Sequence, residues 1–212
     1  MKYIYLAIFM AILSTGNTQA QYYHYPKSPP IQSVGIPSHQ MQWIASSQRN
    51  TQWCWATSIQ MILNYYGVAI NQEQIVQRTY GVHPNGQLPN WGGSFENMTA
   101  NLNNWNVDNM GKRYAVSAVF GHGIPNHNII LKELAHGRPI LLAYRHQGGG
   151  HAVVLTAATY MQTPQGNQVR SLIVRDPWPN ITNRMNRGRV EYNAAQFIQS
   201  VQHYWFVRVN PL

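Results

Sequence analysis

The stretch Gln48-Arg49-Asn50-Thr51-Gln52-Trp53-Cys54-Trp55-Ala56 holds the only cysteine of a 212-residue chain. It runs straight into an amphipathic pattern. Ile59, Ile62, Leu63 and Tyr66 recur at spacings of three and four, and Gly67 ends the run. The spacing predicts a helix over 54–66 with Cys54 in its first turn. A thiol there faces unpaired N–H groups and the positive end of the helix dipole, both of which favour a thiolate. Trp53 and Trp55 flank it and are read mainly as packing residues. Gln48, six residues ahead, can turn its amide N–H toward an oxyanion beside the sulfur, and the Cys54 backbone N–H is a second donor. Gln52 is another carboxamide close to the thiol.

One cysteine excludes an internal disulfide. Three readings remain: an inert core thiol, an intermolecular bridge, or a nucleophile. Two downstream stretches favour the nucleophile. Gly148-Gly149-Gly150-His151-Ala152-Val153-Val154-Leu155 places an imidazole at the head of an apolar strand, after glycines that let another backbone approach. Val174-Arg175-Asp176-Pro177-Trp178 ends the next strand. If the two strands pair through a hairpin at 163–167, Asp176 comes to lie near His151 and can fix its tautomer. The plainer alternatives are a satisfied core histidine and an aspartate that merely caps a turn.

The remaining pattern is helices first and antiparallel strands later, which predicts an α+β fold. A short strand is expected at 41–45. Helices are expected at 71–79 with Asn71 as N-cap, from Ser94 to about Trp105, and at 127–136 with Ile129, Ile130, Leu131 and Leu134 inward. Strands are expected at 139–145, 151–160, 168–175 and 203–209, with a helical turn or two at 193–200. Residues 21–40, with Pro26, Pro29, Pro30 and Pro37, read as an extended arm before a domain at 41–212.

The chain begins Met1-Lys2, then an apolar run through Leu13, then Thr18-Gln19-Ala20. This predicts a signal peptide over 1–20, hence a secreted protein, periplasmic or extracellular. The apolar run is too short to span a bilayer, so no stable membrane insertion is expected. The formal charge is +9, but no nucleic-acid motif accompanies it, and Arg175, Arg184, Arg187 and Arg189 cluster without interleaved aromatics. The histidines lack the partners a zinc site needs, and no phosphate-binding glycine loop occurs, so no cofactor or metal is expected. Oligomeric state is not readable.

Together these motifs resemble the papain-like cysteine peptidases, in particular the compact bacterial branch of effector proteases and double-glycine leader peptidases. The resemblance covers roughly residues 41–178. It implies an α+β papain-like fold, with an N-terminal helical part carrying the nucleophile and a C-terminal sheet carrying its partners. Cys54 falls on the nucleophile, His151 on the base, Asp176 on its orienter and Gln48 on the oxyanion donor. A peptide or protein substrate and hydrolysis through a thioester are then expected. The same Cys–His pair would serve an amidase or a transpeptidase. A binding module that kept the fold but lost catalysis is the alternative of a different class.

Overall fold

The computed structural model describes residues 29–103, 107–180 and 185–212. The expected signal segment at 1–20, and residues 21–28 of the arm, lie outside them. The described chain contains helices α1 (Ser38–Ile44), α2 (Cys54–Tyr65), α3 (Gln72–Tyr80), α4 (Phe95–Asn101), α5 (His127–Ala135) and α6 (Ala194–Phe197). Its strands are β1 (Ile31–Gly35), β2 (Tyr114–His122), β3 (Ile140–His146), β4 (Gly149–Thr163), β5 (Gly166–Arg175), β6 (Arg189–Asn193) and β7 (Val201–Pro211). The fold is α+β, as expected, with the helical part first and the sheet mostly after it.

All strand pairs are antiparallel, and the sheet runs β2-β7-β3-β4-β5-β6, with β1 added beside β4. The long strand β4 organises it. Its first part pairs with β3, from His146↔Gly149 to Ile140↔Leu155. Its second part pairs with β1 and turns back into β5 between Thr163 and Gly166. Gly35 makes the β1 contact possible. Its φ is +144°, and a Cβ there would lie 2.4 Å from both Ala157 Cα and Thr156 O.

Side chains of a strand alternate between faces, and here both faces are covered. Leu141, Ala152, Val154, Trp205 and Val207 point into one core, with Met41, Ile59, Ile62, Leu63 and Ile75 of α1–α3. Ile140, Leu142, Val153, Leu155 and Leu172 point into the other, with Ile130 and Leu134 of α5 and Phe197 of α6. Covered faces explain why 139–145 and 151–155 read as continuous apolar runs.

Several expectations change. Residues 41–45 are not a strand. Helix α1 spans Ser38–Ile44, where Met41 is buried while Trp43 is 88% exposed. The period-2 pattern of Met41 and Trp43 is therefore not the one that packs. Residues 31–35 of the arm are strand β1. Helix α4 stops at Asn101, and 104–106 lie outside the described residues. Ile129 is exposed; the inward stripe of α5 is Ile130, Leu131 and Leu134, joined by buried Glu133. Strands β2 and β6 were not expected.

Candidate active site

Cys54 is the first residue of α2 and is partly exposed. No side chain caps this helix, so its first N–H groups remain available to whatever sits beside the sulfur. The loop before it is held from below by Gln72, 1% exposed. Gln72 Nε2 donates to Ser47 O, and Gln72 Oε1 accepts from Arg49 N and lies 2.9 Å from Thr57 Oγ1. Trp53 and Trp55 are buried, their indole N–H groups donating to Pro89 O and Trp91 O. Gly93 packs against the Trp55 ring, where a Cβ would come within 2.4 Å.

His151 stands near the start of β4, opposite Tyr144 of β3. Its Nε2 lies 2.8 Å from Asp176 Oδ1, and only about a tenth of either side chain is exposed. With Nε2 committed to the carboxylate, Nδ1 is the nitrogen left for the Cys54 thiol, which lines the same cleft. Burial by itself pushes the imidazole pKa down. The hydrogen bond to Asp176, the neighbouring Cys54 thiol, and the negative charge both groups carry when ionised outweigh it and hold the pKa up at about 9. Asp176 Oδ1 also accepts from the Trp178 backbone N–H at 2.8 Å. The Asp176 N–H donates to Gly188 O, and a Cβ on Gly188 would lie 2.5 Å from Asp176 O.

Two ties join the parts of the site. Ser58, one turn beyond Cys54 and fully buried, donates to Ala152 O beside His151. Gln48 N donates to Pro177 O, next to Asp176. Neither tie is visible in the sequence; a buried serine on the apolar face of α2 is the only hint.

Three of the four expected residues, Cys54, His151 and Asp176, meet. Gln48 is 4% exposed; its Nε2 donates to Asn50 O and Thr51 O, and its Oε1 is buried without a partner. Gln52 instead lines the cleft on both sides of the sulfur. On one side is a cavity of about 280 Å³, walled by Trp55, Gly93, Phe95, Met98, His203 and Trp205. On the other is one of about 810 Å³, walled by Tyr144, His146, Trp178, Asn180, Val190 and Tyr192. Cys54 and His151 line both. The triplet Gly148–Gly150 borders the larger one, and a Cβ on any of the three would meet nothing within 4 Å. Among the described residues, no three His, Cys, Asp or Glu side chains are grouped to hold a metal ion.

A thiol, an imidazole and a carboxylate in series, opening on a cleft, are the parts of a nucleophilic hydrolase. The model of the Peptidase_C39 like family matches residues 38–205, which include all of them. The chain belongs to the Peptidase_C39 like family. It is therefore a cysteine peptidase, a hydrolase. No curated protein matches it in sequence. Among solved structures, the peptidase is similar to a double glycine motif protease from an AMS/PCAT transporter in complex with the leader peptide. The two are 18% identical, over 78% of this chain and 89% of that one, with a TM-score of 0.44. It is similar to the peptidase domain of Streptococcus ComA, a bi-functional ABC transporter: 12% identity, 79% and 97% coverage, TM-score 0.48. Digestive procathepsin L2 proteinase from the Tenebrio molitor larval midgut is also similar, at 13% identity, 90% and 69% coverage and a TM-score of 0.48.

Proposed function

We propose that this peptidase is exported, loses residues 1–20 as a signal peptide, and hydrolyses peptide bonds through a thioester on Cys54. The observation that carries the chemistry is the imidazole of His151, bonded to Asp176 at 2.8 Å and sharing the cleft wall with Cys54.

His151 Nδ1 takes the thiol proton, and Sγ attacks the carbonyl carbon of the scissile bond. The oxyanion rests against the Cys54 N–H, with the Gln52 carboxamide, which lines the cleft beside the sulfur, as second donor; the Gln48 amide is spent on Asn50 O and Thr51 O and holds the loop instead. His151 then gives its proton to the leaving nitrogen as the C–N bond breaks. Water attacks the thioester, His151 accepts its proton, and the thiol is restored as the carboxylic acid departs. Asp176 fixes the tautomer and offsets the imidazolium charge. The substrate is an extended peptide with residues on both sides of the sulfur. The aromatic cavity takes an apolar side chain, and the larger cavity takes the leaving side.

A pH profile tests this. Iodoacetamide labels Cys54, and labelling stops peptide hydrolysis. A raised histidine pKa keeps the imidazolium populated up to about 9, so kcat/KM holds through neutral pH and falls as pH rises through about 9. A kcat/KM that shows no fall through about pH 9, or hydrolysis that survives complete labelling, overturns the reading. For the oxyanion site, Gln52→Ala lowers kcat by roughly 10²-fold with little change in KM, whereas Gln48→Ala, which removes the loop's hydrogen bonds to Asn50 O and Thr51 O, acts mainly on stability. Steady-state kinetics and unfolding midpoints separate the two.

A further inference from the structure

Behind the strand end that carries Asp176 lies a second cavity of about 280 Å³, lined by Ser33, Gly35, Ser38, Thr156, Arg175 and Arg189 among others. Arg175 is 1% exposed. Its Nη1 donates to Asn186 O and Arg187 O, and its Nη2 to Ser38 O and Ser38 Oγ. All four acceptors are neutral, and the Nε–H is buried without a partner. Arg189 lies directly opposite in the β5–β6 register and lines the same cavity. Like charges facing each other across a strand pair repel. Burial, then the Arg189 charge, bring the Arg175 pKa down to about 10, which still leaves it charged at neutral pH.

A buried charge normally has an opposite charge to balance it. This chain has six acidic residues in all, and each is occupied elsewhere. Glu73 pairs with Arg49, Glu133 with Arg138 and Arg208, and Asp176 with His151. Asp108 accepts from the N–H groups of Ala69, Met110 and Lys112. Glu96 is held by Ser94 at the head of α4. Glu191 accepts from Ser171 and reaches only the Arg189 guanidinium, at 3.5 Å. No acidic side chain of the chain itself answers Arg175.

We propose that this cavity binds a small oxyanion, a phosphate or carboxylate group from solution, seated between the Arg189 guanidinium and the buried charge of Arg175. The carbonyls of Asn186 and Arg187 that hold Arg175 belong to the loop whose Gly188 O accepts from Asp176 N. An anion that steadies this cluster also steadies the orienter of His151.

Thermal unfolding of the mature chain tests the proposal with a readout that does not depend on the active-site chemistry. Inorganic phosphate and succinate are each titrated in the millimolar range against sodium chloride at equal ionic strength. Phosphate is expected to raise Tm saturably by roughly 2–4 °C over chloride. Arg189→Gln is expected to lose that rise, while Arg113→Gln, at the other edge of the sheet, keeps it. A rise with both probes assigns a general oxyanion site, and a rise with phosphate alone assigns a phosphate-type ligand. Equal Tm in all three salts, or a rise that Arg189→Gln retains in full, overturns it.

Discussion

Cys54→Ala is expected to abolish hydrolysis, lowering kcat on the order of 10⁶-fold, the scale seen when a triad nucleophile is removed. It also leaves no thiol for iodoacetamide, since the chain has one cysteine. Stability should barely change. Cys54 is only partly buried at the open end of α2, so a smaller side chain there leaves little void. His151→Ala is expected to cost about as much activity, and the double variant no more than either alone, because the two groups act as a unit. Unfolding midpoints, labelling and kcat on the three variants check this together. Undiminished turnover by Cys54→Ala sinks the thioester route. Losses that multiply in the double variant sink the idea that thiol and imidazole work as a pair.

The second largest effect is expected at Asp176. Asp176→Ala removes the acceptor from His151 Nε2 and frees the ring, and kcat falls by roughly 10³–10⁴-fold. Asp176→Asn is the informative variant. An amide oxygen still accepts from both His151 and the Trp178 N–H that share Oδ1, so the ring keeps its orientation. The charge is lost, however, and with it part of what holds the imidazole pKa at about 9. Asn should therefore recover much of the activity lost in Ala, with the alkaline fall of kcat/KM moved to lower pH. The sign for stability follows. The folded histidine has a raised pKa, so its contribution is complete below about 6.5 and fades as pH rises through about 9. In Asp176→Asn that window narrows from the alkaline side. An unmoved pH profile in Asp176→Asn argues against an electrostatic role for the carboxylate.

Much of this site was legible because its parts are local. The three- and four-residue spacing after Cys54 places the thiol at a helix start, and α2 begins there. The hairpin at 163–167 brings Asp176 back toward His151, since the β4–β5 register aligns Val154 with Arg175. Asn71 caps α3 and Ser94 caps α4 for the same reason: a side chain answers an N–H three residues away. What escaped depends on distant partners. Strand β2 is an edge strand with apolar residues on both parities, so its alternation is blurred. Strand β6 is five residues long and carries Arg189 and Glu191. Helix α1 imitates a strand through Trp43, which packs on nothing in the core. Gln72 and Ser58 reach the site across 25 and 94 residues of sequence, and no local pattern reports such reach.

Strand β4 belongs to both cores at once, Ala152 and Val154 feeding one and Val153, Leu155 and Ala158 the other. Ser58 and Gln48 add hydrogen bonds that pin the thiol side to the imidazole side. The groove is then expected to admit its guest by rotations of side chains at its rim, with little movement of the backbone beneath. A catalyst built this way meets its substrate already assembled, and selects by shape at the rim rather than by closing around what it has caught.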